Sequence, residues 1–433
     1  MDKILVVQCA ALGFEFWDAR KSSPFWKELS SKPAATVFPA VTCPAQASFR
    51  TAADPAEHGM VANGFFDPVL RKAMFWEQSS RLYSGPRIWE GFRSSGGTVG
   101  QICWQQSLGP DSDLILSPAP IHKHHGGMIQ DFFAKPADLY RGLVDSIGRP
   151  FKLQSYWGPL ASSASTKWIA DAAIELLRSG KAADLQLVYL PHLDYELQKS
   201  GPDSPKADAE FAVLESALSA LLAEAKNAGY EILLFGDYAM EPAKGVAYPN
   251  KILAEAGFFR ARSVKGMLYP DLYTSKAFAL CDHQVAFIHF DENASDAETA
   301  EVAALFENAE GVRSVLTEKS PGERPAAFIP NPRSGRIVLE ADEGYWFAYP
   351  WWDSKAEAPD YATHIDIHNK PGYDPCELFA ALWPPFSVSL DASKVGGTHG
   401  NPRNPVLLAA SLDLGKADSI TSAAAALRDI LGG

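Results

Sequence analysis

Cysteine is scarce in this chain and scattered where it occurs. Cys9, Cys43, Cys103, Cys281 and Cys376 form no C-x-x-C pair. That pattern argues against both a disulfide framework and a thiolate zinc site. Long apolar runs are missing too, since no stretch reaches the roughly 18 residues of a membrane helix. Positive charge is in deficit: 39 Lys and Arg stand against 52 Asp and Glu, for a formal net charge of −13. A nucleic-acid polymer or an anionic membrane wants a basic face, so neither is expected as a partner. A small phosphorylated substrate in a locally positive pocket stays open. Met1-Asp2-Lys3 runs straight into Ile4-Leu5-Val6-Val7, without the charged and apolar regions of a signal peptide. The expectation is a soluble cytoplasmic protein. No internal repeat or low-complexity tract stands out.

What the chain has is apolar residues, 47% of its 433 positions, enough for a large core. Ile4 to Ala10 reads as a buried strand of a parallel sheet. Trp168 to Leu177 has helical spacing, Leu185 to Leu190 reads as a strand, Phe211 to Ala225 as an amphipathic helix, and Glu231 to Phe235 as another buried strand. This alternation marks an α/β sheet with right-handed crossovers. The chain changes character at 258–330. There Val285–Phe290 and Val312–Leu316 read as strands, Ala297–Phe306 as a helix, and a Pro-rich stretch over 320–332 leads back. The division expected is a core of 1–257 and 331–433 with an inserted α+β subdomain of 258–330. Tyr349 to Val395, dense in Trp, Pro and Asp, reads as loops around a site.

The richest stretch is Phe38 to Phe66, FPAVTCPAQASFRTAADPAEHGMVANGFF. A Val-rich run gives way at Thr42-Cys43-Pro44 to a helix-compatible segment. A hydroxyl at a helix N-terminus meets amide dipoles that favour an anion, a plausible seat for a nucleophile attacking phosphorus. The alternative is an ordinary strand-turn-helix whose Thr caps the helix. Three further segments carry acids or imidazole. They are His192-Leu193-Asp194 through Gln198 to Gly201-Pro202, then Gly236-Asp237-Tyr238-Ala239-Met240, and finally Gly397-Thr398-His399-Gly400. The first two follow buried strands, and ligands of open α/β sheets sit beyond such carboxyl ends.

In this order the segments resemble the nucleotide pyrophosphatase/phosphodiesterase branch of the alkaline phosphatase superfamily. Thr42, Pro44, Ser48, Thr51, Pro55, His58, Gly59 and Asn63 fall on its nucleophile pattern, P-x-x-T-x-P-N-H-x-S-x-x-T-G-x-x-P-x-x-H-G-I-x-x-N; Ala45 and Gln46 replace its Asn-His. The resemblance implies a three-layer α/β sandwich with a mostly parallel sheet. It also implies Thr42 as nucleophile in a phospho-threonine mechanism, and zinc or another divalent metal, one or two ions, held by Asp194, Asp237 and His399. Asn63 and Lys370 are candidate contacts to the phosphate. The family's remaining ligand positions are substituted: Ala10 stands for an Asp, and Gln198 and Tyr238 each for a His. Gln and neutral Tyr are poor zinc ligands.

Substitute ligands are sought in His192, in Asp282-His283 and in Asp366-Ile367-His368, whose acid and imidazole share a face if extended. Each has a structural alternative, as a histidine that only supports a neighbouring group or as a holder of a Pro-Gly turn. His122, His124 and His125 read as a solvated loop and Cys43 as a neutral buried thiol. The aromatic group from Tyr345 to Trp352 reads as packing. Two functions follow. One is metal-dependent hydrolysis of phosphoric esters, of phosphodiester or nucleotide pyrophosphate type. The other is a degenerate relative that binds a phosphorylated or phosphonate ligand, or a partner protein, without turnover.

Overall fold

The computed structural model describes residues 3–125, 127–320, 328–381 and 387–432. Part of the Pro-rich stretch over 320–332 therefore lies outside the described residues. Seven strands of the large sheet come first: β1 Lys3–Cys9, β2 Ser30–Ala34, β3 Val99–Ile102, β4 Leu114–Pro118, β5 Phe132–Lys135, β6 Leu185–Leu190 and β7 Tyr230–Gly236. Four more, β8 Ala277–Asp282, β9 Val285–Phe290, β10 Val312–Thr317 and β11 Ile337–Ala341, build a second sheet, and β12 Val406–Ala410 returns to the first.

The large sheet runs β2-β12-β7-β1-β6-β3-β4-β5. Its centre is parallel: β1 pairs with β6 and β7, β6 with β3, and β3 with β4. Strands β12, β2 and β5 attach antiparallel at the flanks. In β1 every residue after Lys3 is buried, as a strand covered on both faces requires. This is the mostly parallel α/β architecture expected.

The helices that matter are α1 Thr42–Thr51, α2 Ala164–Arg178, α3 His192–Ser200, α4 Pro205–Asn227, α5 Asp296–Phe306 and α6 Ile420–Ile430. Local chemistry fixes their starts. Ser204 accepts the Ala207 amide ahead of Pro205 at the first position of α4, and Ser295 with Glu298 forms a capping box on α5. Among the described residues no helix is long and apolar enough to cross a membrane.

The small antiparallel sheet runs β8-β9-β11-β10. Its strand β11 comes from Ile337–Ala341, beyond the 258–330 boundary set from the sequence. A continuous apolar run reads alike in either sheet, so pattern alone did not assign it. The two sheets centre two separate apolar cores, and Tyr349, Trp351 and Trp352 lie in the second. Between Tyr349 and Val395 the described chain forms only short 3-10 turns and loops. The ends of β1 and β7 approach closely at Gly236. There an added Cβ would stand 2.1 Å from the Leu12 carbonyl oxygen, so only glycine fits.

Candidate active site

Thr42 is the first residue of α1 and is buried, after Val41 in extended conformation. The Cys43 amide donates to Asn63 Oδ1 at 3.0 Å, which holds the helix start. Asn63 in turn donates its own amide and its Nδ2 to the two oxygens of Asp282, at 2.7 and 3.2 Å. Asn63 thus serves the backbone and an acid at the end of β8. Gln46, at the family's histidine position, accepts the Gln105 amide at 2.7 Å and ties α1 to the loop after β3.

The strand-end acids converge on the same place. Asp194 lies in the first turn of α3, and Asp237 directly follows β7. The Tyr238 hydroxyl donates to Asp194 Oδ1 at 2.9 Å. Gln198 Nε2 donates to Asp194 Oδ2 at 2.6 Å, and the Tyr373 hydroxyl donates to Gln198 Oε1 at 2.8 Å. Asp237 accepts Gln8 Nε2 at 2.8 Å and the amides of Ala11 and Tyr238, each at 3.0 Å. Ala11 presents its amide from φ +57°, a left-handed conformation that costs a non-glycine residue about 1 kcal/mol.

Four rings complete the arrangement. Tyr238 lies flat on His399, with centroids 3.5 Å apart and planes 2° from parallel. His399 meets His283 at 3.8 Å, and His283 stacks on Tyr373 at 3.7 Å. Tyr373 leads through Gln198 and Asp194 back to Tyr238, so the contacts close on themselves. His399 Nδ1 donates to the Ala40 carbonyl at 2.8 Å, leaving Nε2 3.7 Å from Asp194 Oδ1. His283, itself at φ +56°, donates from Nδ1 to Asp282 at 2.7 Å, and its Nε2 is buried without a hydrogen-bond partner.

Burial sets the charge states. It pushes Asp194 up to about 7 against the lowering effect of its Tyr238 and Gln198 bonds. It pushes Asp237 up to about 8, with Asp194 adding to the rise. Asp282 rises to about 6, and His399 and His283 are both held well below the usual imidazole value by burial. Cys43 is raised to about 12 by burial, a neutral thiol rather than a nucleophile.

These residues do not fit a pair of zinc ions. Each oxygen of Asp194 and Asp237 already accepts a hydrogen bond from the chain. Ala10 supplies no donor atom, and a phenol and an amide stand where imidazoles would be needed. Among the described residues no group of three or more His, Cys, Asp and Glu is placed to hold a metal ion.

The proposed substitutes fare unequally. Only Asp282-His283 joins the site. His192 opens α3 with its Nε2 3.1 Å from the Glu210 carbonyl. Asp366 accepts the Asn369 side chain, and His368 Nδ1 bonds the Phe75 carbonyl at 2.9 Å. Lys370 corrects its expected role at a phosphate: it is 1% exposed and sealed between Asp374 at 2.7 Å and Glu377 at 2.8 Å. His122, His124 and His125 are exposed. Reading along the chain missed Gln8 and Tyr373. Gln8 was visible only as a polar residue inside an otherwise apolar strand.

A family model described as type I phosphodiesterase / nucleotide pyrophosphatase matches residues 17–374. The chain belongs to that family. Family members generally use divalent metals such as zinc, and the family is one of phosphoester hydrolases. No curated protein matches the sequence. Among solved structures, phosphonoacetate hydrolase from Sinorhizobium meliloti 1021 in complex with phosphonoformate is 16% identical, with a TM-score of 0.63 over 100% of this chain and 96% of that one. Murine ectonucleotide pyrophosphatase/phosphodiesterase 5 is 17% identical, with a TM-score of 0.62 over 100% and 95%. An inactive variant of the murine protein in complex with AMP is also similar, at 16% identity and a TM-score of 0.62 over 100% and 95%. At such identities the likeness to these structures is one of fold.

Tyr238→Phe removes the hydroxyl that donates to Asp194 Oδ1. The expected cost is about 1–3 kcal/mol for a buried acceptor left unpaired, read from urea unfolding. An unchanged midpoint would mean that this bond is not formed in solution.

Proposed function

We propose that this chain is a nucleotide pyrophosphatase/phosphodiesterase family member whose two-metal centre has been rebuilt as a metal-free hydrogen-bonded core. It binds a small phosphorylated or phosphonate ligand without metal-dependent turnover. The observation that carries this reading is the closed circuit of Tyr238, His399, His283, Tyr373, Gln198 and Asp194. It sets a phenol and an amide, both poor zinc ligands, where imidazoles would be needed and ties them to Asp194 by hydrogen bonds. The ligand class is drawn from the neighbours crystallised with phosphonoformate and with AMP. The start of α1 at Thr42 offers the Thr42 hydroxyl and the positive end of the helix dipole for its anionic group.

A second reading, hydrolysis of phosphoric esters by Thr42 with a divalent metal, is favoured by the position of that hydroxyl at the helix start. Two assays on purified protein separate the readings. Bis-p-nitrophenyl phosphate with added zinc is expected to be hydrolysed no faster than by Thr42→Ala. AMP or phosphonoacetate is expected to raise the melting temperature of the wild type and not of Thr42→Ala. Zinc-stimulated turnover lost in Thr42→Ala would establish the second reading instead.

A further inference from the structure

Among the described residues the large sheet ends at β5, with no strand beyond it. β5 pairs on one side only, antiparallel with β4, as Ile115 with Lys135, Ser117 with Phe133 and Pro118 with Phe132. The ribbon continues outward past the Ala119 amide, which donates to the Asp131 carbonyl at 3.0 Å, to the pairs Ile121 with Ile129 and His122 with Met128. An open edge is a template for another strand, and natural sheets cover it, charge it or break it.

Register decides which backbone groups this edge presents. The Ala119–Asp131 bond turns the amides and carbonyls of odd-numbered residues towards each other across the ribbon. Those of even-numbered residues therefore face away from it. β4 shows the same alternation, because its Leu116 carbonyl faces β3 and accepts the Cys103 amide at 2.7 Å. On β5 the outward groups are the amides and carbonyls of Phe132 and Ala134, and no described residue bonds them. Pro136 ends the run, since it has no amide proton. Side chains alternate as well. Phe132 enters the first core and stacks on Tyr140 at 4.7 Å, whereas Phe133 points to the opposite face and is 40% exposed. Asp131 and Lys135 share the face of Phe133. Asp131 is exposed, and Lys135 is half-buried with Nζ donating to the Ser112 carbonyl at 2.6 Å.

This edge is complementary to itself. Laid antiparallel on a second copy about a two-fold axis at Phe133, Phe132 faces Ala134 of the second copy and exchanges both backbone bonds with it. The symmetric pair does the same. The two Phe133 rings meet across the axis, and on either side of them an Asp131 stands opposite a Lys135. Sliding the register by two residues loses this match. One direction sets Asp131 opposite Phe133, and the other puts Pro136 into the ladder opposite Phe132.

We infer that β5 is a self-association edge, through which two copies of this chain join their large sheets into one. It is independent of the reading given for Thr42. The contact is small, so a reversible dimer in the micromolar range is expected. Sedimentation velocity on the full chain should show it. Ala134→Pro removes an outward amide and no bond within the chain, and should raise the dissociation constant about tenfold or more. Phe133→Cys tests the register and guards against a folding defect in the first variant. At a non-hydrogen-bonded pair the two Cα atoms stand about 4.5 Å apart, within disulfide reach. The native cysteines are all buried, so they do not compete. Mild oxidation should link Phe133→Cys into a covalent dimer and leave Asp131→Cys, about 13 Å from its copy, unlinked. A wild type that stays monomeric well above micromolar concentration, a dimer untouched by Ala134→Pro, or linking at 131 in preference to 133 would overturn the inference.

Discussion

Replacing Lys370 by Met will destabilise the fold by about 3–5 kcal/mol, because it strands two buried carboxylates. Lys370 is 1% exposed and lies between Asp374 and Glu377, whose side chains are 8% and 1% exposed. Burial by itself would lower the lysine's proton affinity. The two acids outweigh that, and the ammonium is held above its usual value. The acids have further partners: Glu377 accepts Trp157 Nε1 at 2.6 Å and the Asp366 amide at 2.9 Å, and Asp374 accepts the Cys376 amide at 3.0 Å. Those bonds hold the carboxylates in place after the cation is gone, so they cannot swing to water. Adding Glu377→Gln to Lys370→Met should recover part of the loss by removing one stranded charge. Urea unfolding of the two variants checks this, and a loss under about 1 kcal/mol would show that the cluster is solvated.

The pH dependence of stability gives the second large effect, a maximum near pH 6.5. Burial keeps His58 at about 3, His192 at about 4 and His289 at about 3, and holds His283 and His399 well below the usual value. The unfolded chain protonates these five imidazoles near pH 6.5, so below that pH it binds more protons than the folded chain. Their contribution is therefore lost as pH falls from about 6.5 towards 4.

The buried acids have the opposite sign. Asp282, Asp194 and Asp237 stay protonated up to about 6, 7 and 8, whereas the unfolded chain ionises them near pH 4. Their contribution is fully present at acid pH and is lost as pH rises through those values. Five imidazoles outweigh three acids below pH 6.5. Above it only Asp194 and Asp237 still change, so stability falls again. Each proton of imbalance is worth about 1.4 kcal/mol per pH unit as an upper figure. Denaturation at pH 5, 6.5 and 8.5 should show the maximum, and Asp194→Asn should flatten its alkaline side. Stability that does not fall between pH 6.5 and 8.5 would mean that both carboxylates are ionised in the fold, as a bound cation would make them.

Much of this was visible along the chain, for identifiable reasons. Thr42 and Asn63 lie within one short segment, and Asp194 and Asp237 each follow a continuous apolar strand, so local pattern located them. The losses at Ala10, Gln198 and Tyr238 could be counted from the resemblance to the family's motifs. What fills the space left by them could not. Tyr373 comes from a loop 175 residues beyond Gln198, and no periodicity links the two. Asp282-His283 was visible as a pair of residue types, but its place depends on a left-handed turn between two strands of the small sheet. Lys370 looked like a free cation in a polar loop. Its pairing with Asp374 and Glu377 follows from the burial of that loop against the second core, which spacing does not report.

Zinc content is the most direct test of the rebuilt centre. The full chain would be incubated with excess zinc sulfate, desalted and analysed for metal, alongside His399→Ala. Far less than one zinc per chain is expected in both, with identical melting curves before and after incubation. Two zinc ions per chain in the wild type, falling in His399→Ala, would contradict a metal-free core.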